Sequence, residues 1–124
     1  MKRVNIRYLD RPETKKIVVL HTPYVTYEDF FVSQRAKGNL DSGVHYYIDK
    51  LGRITVGREE NVYGSHLLAG KEDSIFVAVA DKPTDCARQA LELLMSDIIC
   101  RYGGDLGVVD TKWTIMQQPN NPEG

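Results

Sequence analysis

Three apolar runs stand out along the chain, and polar or helix-spaced segments separate them. Lys15 to His21 is a β-branched run that reads as a buried strand, broken by Thr22-Pro23. Val44 to Ile48 reads as a second core strand, and Arg53 to Val56 returns beside it as a hairpin after the Leu51-Gly52 turn. Ser74 to Ala80 is apolar at successive positions, as expected of a strand covered on both faces. Between these runs the period changes. Thr26 can cap a helix to about Lys37, with Glu28 and Asp29 in its first turn, Phe30, Phe31 and Gln34 on its inner side, and Gly38-Asn39 ending it. Thr84 can cap a second helix, in which Ala87, Leu91, Leu94, Ile98 and Tyr102 share one face before Gly103-Gly104. Val4 to Tyr8 alternates as a short edge strand, Leu106 to Val109 reads as a last short strand, and Gly57 to Leu68 reads mostly as loop. Interleaved strands and helices predict an α/β chain, with a central mixed β-sheet flanked by helices.

Composition narrows the partners more than the fold. A chain of 124 residues is expected to form one domain over residues 1–119, with a disordered tail over 120–124. The formal net charge of −1 gives no global attraction to nucleic acid, so a nucleic-acid partner is not expected. No apolar run approaches the roughly 20 residues of a membrane span, so no membrane partner is expected either. The N-terminus lacks the apolar core of a secretion signal, and the expected address is the cytoplasm of the producing or infected cell. The two cysteines, Cys86 and Cys100, fall in one predicted helix and lie roughly 21 Å apart, too far to bond to each other. They are expected to be reduced and partly buried.

One constellation goes beyond fold. Leu40-Asp41-Ser42-Gly43-Val44-His45 runs on to Asp49 and Gly52, and is followed by Gly57-Arg58-Glu59-Glu60, Gly64-Ser65-His66 and Asp73-Ser74-Ile75. In order and spacing this set resembles the zinc-dependent N-acetylmuramoyl-L-alanine amidases, and above all the small phage lysozymes of that family, which share their fold with the peptidoglycan recognition proteins. The resemblance runs from about Ile17 to Pro119. It implies an amidase-like fold with a groove across the sheet. In an active member, zinc held by two histidines and a cysteine polarises the scissile carbonyl and activates a water. A tyrosine and a lysine there stabilise the oxyanion.

This chain departs from that pattern at the chemistry. His21 matches the first zinc ligand. Asp110 stands at the second histidine, Gln118 at the cysteine, Val44 at the tyrosine and Met116 at the lysine. A carboxylate can bind zinc, but a neutral amide is a poor substitute for a thiolate. There is no histidine after His66 and no cysteine after Cys100. Tyr46, two residues past Val44, is expected on the same strand face but displaced by roughly 6–7 Å. His45 is expected to pack in the core, and Lys71 and Arg58 to add positive charge at the groove rim. The expected reading is a catalytically inactive amidase-fold binding protein of phage origin, without a cofactor. Its groove would be lined by His21, Tyr46, His66, Asp110 and Trp113. The expected partner is a small molecule or a protein: a muropeptide, a polymerase or a host-defence component. The alternative is a diverged amidase, with zinc as its cofactor on His21, Asp110 and one further ligand.

Overall fold

A computed structural model describes residues 10–65, 68, 70 and 72–112. Its elements are β1 (Lys16–Thr22), α1 (Tyr27–Ala36), β2 (Tyr46–Ile48), β3 (Ile54–Val56), β4 (Ser74–Ala80), α2 (Asp85–Tyr102) and β5 (Gly107–Lys112). The strands form one sheet in the order β3-β2-β4-β1-β5. β1 is parallel to both β4 and β5, β2 is parallel to β4, and only the β2–β3 hairpin is antiparallel. The expected edge strand at Val4 to Tyr8 and the expected tail lie outside the described residues.

Alternation along β1 builds two cores. Val18 and Leu20 pack with Phe30 of α1, Val44, Tyr47, Phe76 and Ala78 on one face. Ile17 and Val19 pack with Ile48, Ile75, Val77, Val79 and residues Ala87 and Ile98 of α2 on the other. Every residue of β4 is buried, which is why its sequence reads as a continuous apolar run. The result is a single small α/β domain, a mixed sheet between two helices. No described helix is long and apolar enough to cross a membrane.

Local sequence sets the helix ends. Thr26 Oγ1 accepts from the Asp29 amide, and Thr84 Oγ1 accepts from the Ala87 amide, capping α1 and α2 as expected. Thr84 also donates its hydroxyl proton to the Lys50 carbonyl, fixing the start of α2 to the β2–β3 turn. Within α1, Phe30 and Gln34 are buried, while Phe31 is half-buried and lines a shallow apolar depression with Tyr27, Glu28 and Val32.

The glycine-containing loops are built on close approach and buried polar contacts. Arg58 was expected at a charged rim. It is instead 8% exposed, donates to Asp41 Oδ1 at 3.0 Å and to the Tyr63 carbonyl at 3.1 Å. Asp41 also accepts from the Gly43 amide, so the Asp-x-Gly and Gly-Arg segments form one unit. Ser65 donates to Asn39, which donates to Gln34 in α1. A Cβ on Gly64 would lie 2.6 Å from the Phe76 ring, so only glycine fits there. Both cysteines are exposed, not partly buried, because α2 turns Ala87 and Ile98 inward and leaves positions 86 and 100 on its outer side.

Candidate functional site

Parallel strands bring their C-terminal ends to one edge of the sheet, where ligands of open α/β sheets commonly bind. At that edge β1 ends at His21-Thr22, β4 passes into Asp81, and the last residues of β5 are Asp110, Thr111 and Lys112. These five residues other than Thr22 line an open depression of about 490 Å³. Register explains the grouping: His21 pairs with Lys112 on one side and with Val79 on the other, and the Asp81 amide donates to the Thr22 carbonyl at 2.7 Å.

Asp110 pairs with Val19, two residues before His21, so its carboxylate and the imidazole share a face. His21 Nε2 lies 2.6 Å from Asp110 Oδ1. The carboxylate accepts, so Nε2–H donates, and Nδ1 is the ring's other polar atom. The imidazole is 24% exposed and the carboxylate 63% exposed.

As placed, these two atoms are too close together to share a zinc ion. Two ligands about 2.0–2.1 Å from a tetrahedral zinc are separated by about 3.3 Å. At 2.6 Å the pair is joined directly instead. Among the described residues, no three His, Cys, Asp or Glu side chains come together to hold a metal. His45 cannot join. It is fully buried, its Nε2 donates to the Val62 carbonyl and its Nδ1 accepts from the Phe76 amide. Burial pushes its imidazole pKa down to about 4, fixing it as a neutral core residue stacked on Phe76.

Two other sequence-predicted positions lie away from the depression. Val44 is fully buried in the core on the α1 side, whereas Tyr46 packs toward α2. The expectation that they share a face fails because the regular strand begins only at Tyr46. Just before it, the successive amides of Gly57 and Arg58 donate to the carbonyls of His45 and Val44, and Gly43 has φ +79°. Tyr46 was expected in the groove, but its hydroxyl donates to Glu60. Arg101 grips the same carboxylate through two bonds of 2.6 and 2.7 Å, and Tyr102 donates to it at 2.7 Å. Arg101 and Tyr102 belong to the last turn of α2, at the opposite end of the sheet from the depression. Burial alone would raise the Glu60 carboxyl, but the bonds from Arg101, Tyr46 and Tyr102 outweigh it and bring it down to about 2. Burial and the bond to Glu60 push the Tyr46 hydroxyl up to about 12. This cluster ties the loop after β3 to the end of α2. His66, Trp113, Met116, Gln118 and Lys71 lie outside the described residues.

Asp81 and Lys112 were not singled out from the sequence. Asp81 had a legible signal, since it directly follows the third core strand at the carboxyl edge. Lys112 had none, because β5 was expected to stop at Val109 and its extension depends on pairing with β1.

No family model and no curated protein matches the chain. Solved structures do. LysC, an N-acetylmuramoyl-L-alanine amidase from Clostridium intestinale URNW, is 21% identical, with 98% of this chain and 87% of that one aligned and a TM-score of 0.69. PGRP-Hd from Alvinella pompejana is 21% identical over 81% of this chain and 72% of that one, with a TM-score of 0.66. Drosophila PGRP-SA is 16% identical over 89% of this chain and 73% of that one, with a TM-score of 0.70. At these identities the likeness is one of fold: the chain has an amidase and peptidoglycan-recognition-protein fold.

Proposed function

We propose that this chain is an amidase-fold binding protein that takes a peptide-bearing fragment of peptidoglycan at the carboxyl edge of β1, β4 and β5, and does not hydrolyse it through zinc. The observation that carries this reading is the direct hydrogen bond between His21 and Asp110, which stand where the resemblance places two zinc ligands. The joined pair is a polar floor, not an open coordination set. Val44 supports the same reading: an apolar, fully buried side chain occupies the position of the oxyanion-stabilising tyrosine. The fold is shared with proteins named for peptidoglycan recognition and with proteins named for amide hydrolysis, and the donor set favours the former. A phage origin belongs to the same proposal, and a protein partner that is bound and inhibited is the alternative occupant. The fragment is the preferred ligand because the candidate site is a concavity lined by groups of both charges.

Native mass spectrometry of the purified protein, followed by calorimetric titration with a muramoyl tripeptide, tests this reading. The expected result is a metal-free mass and a saturable heat. One zinc per chain that a chelator removes, together with release of free peptide from the muramoyl tripeptide, would overturn it in favour of a diverged amidase.

A further inference from the structure

The depression carries a carboxylate, Asp81, on its β4 side, and both a carboxylate, Asp110, and an ammonium, Lys112, on its β5 side. Lys112 stands on the β5 side of His21, directly across from it in the register, and Asp81 follows β4 on the other side. β1 lies between them, and Asp81 sits two residues further along the register than Lys112, so their backbones are roughly 11–12 Å apart. Among the described residues neither Asp81 nor Lys112 is in an ion pair; Asp81 accepts only from the neighbouring Lys82 amide. His21 lies between the two walls, and Asp110, two residues before Lys112 on the same face of β5, reaches across to it and is held in that bond. Three residues of extended peptide span about 10–11 Å between their ends, and the Lys112 side chain covers the remainder. A depression of about 490 Å³ admits a ligand of that size.

From this arrangement we infer that the ligand is a short zwitterionic peptide, its free ammonium end at Asp81 and its carboxylate end at Lys112. The inference rests on the reading above and sharpens it. A peptide still joined to muramic acid has an amide, with no positive charge, where Asp81 calls for an ammonium group. The favoured ligand is therefore the peptide after its amide bond to the glycan has been broken: water adds across that bond, the carboxylate stays with the sugar and the amine leaves with the peptide. An amide hydrolase acting on the glycan-linked form must supply it. The chain then binds the product of the reaction that its fold is built to catalyse elsewhere.

Calorimetric titration of the full chain with four probes decides the matter: the free tripeptide, its N-acetyl form, its C-terminal amide, and the same tripeptide attached to muramic acid. The expected order places the free tripeptide first, with about ten-fold weaker binding for each blocked end. In Asp81→Asn the N-acetyl penalty disappears while the amide penalty remains, and in Lys112→Met the reverse holds. Both positions are exposed, and thermal melts confirm that each variant is folded. Equal binding of free and end-blocked peptides overturns the inference. So does tighter binding of the muramoyl form, which leaves the broader reading standing. Binding of none of the four removes both.

Discussion

His21 and Asp110 meet at 2.6 Å, and that contact sets what the depression can offer a ligand. A charge-assisted bond of this kind fixes the imidazole plane and leaves the second carboxylate oxygen for other contacts. Removing either partner leaves the other unanchored, so the two act as a unit. His21→Ala and Asp110→Ala should each weaken binding of the peptide fragment by about ten-fold, and the double variant should be scarcely weaker than either alone. Calorimetry on the full cycle measures this, and strict additivity would mean that the residues act separately. His45, Glu60 and Tyr46 make stability depend on pH. His45 has a folded pKa near 4 against 6.5 for an ordinary imidazole, so the unfolded chain binds the extra proton. Its contribution is present above pH 6.5 and is lost as pH falls from there toward 4. Glu60, held near 2 against an ordinary 4.5, adds stability above 4.5 that disappears as pH falls toward 2. Because Arg101 is 43% exposed, the Glu60 contribution is discounted to about 1–2 kcal/mol. Tyr46, raised to about 12 from 10, contributes below pH 10 and loses that contribution as pH climbs toward 12. Thermal melts should therefore show acid loss in two stages. Glu60→Gln should flatten the lower stage and leave the fall between pH 6.5 and 4 unchanged.

At the scale of elements, caps and close approaches carry the fold. Thr84→Ala removes both the α2 cap and the tie to the Lys50 carbonyl, and should lower stability by about 1–2 kcal/mol. Gly57 is more demanding, since a Cβ there would run into the Val44 carbonyl. Gly57→Ala should destabilise by about 1–3 kcal/mol through overpacking, and urea melts measure both. Elements specified by local pattern were legible in the sequence. β4 has the limits expected of it because every position is apolar or small and buried, and both helices begin at the threonines that cap them. Elements specified by pairing were not. β5 runs to Lys112, past the expected Val109, because its backbone follows β1 and its side chains are mostly exposed. β2 is regular only from Tyr46, and the period-two argument applied before that point put Val44 and Tyr46 on one face. The candidate site divides in the same way. His21 and Asp110 could be named from the resemblance, whereas the Asp81 and Lys112 walls exist only because β1 lies between β4 and β5.

For the whole molecule, the fold separates two kinds of polar work. At the amino edge of the sheet, Glu60 with Arg101, Tyr46 and Tyr102 forms a satisfied cluster that joins loop to helix. At the carboxyl edge, charged side chains line an open depression. Stability should therefore respond to ligands at one end only, and selectively. A ligand that binds the folded state alone stabilises it by about 2.7 kcal/mol at a hundred times its dissociation constant. For a domain of this size that is a rise in Tm of roughly 10 °C. The free tripeptide at that concentration should produce such a shift in the native protein and lose about half of it in Asp110→Ala, where binding is about ten-fold weaker. Zinc at equal or higher concentration should leave Tm unchanged within about 1 °C, because His21 and Asp110 must first part before a shared ion can enter. A large zinc shift that disappears in His21→Ala would show that the pair opens for metal, and would return the molecule to the hydrolases whose fold it shares.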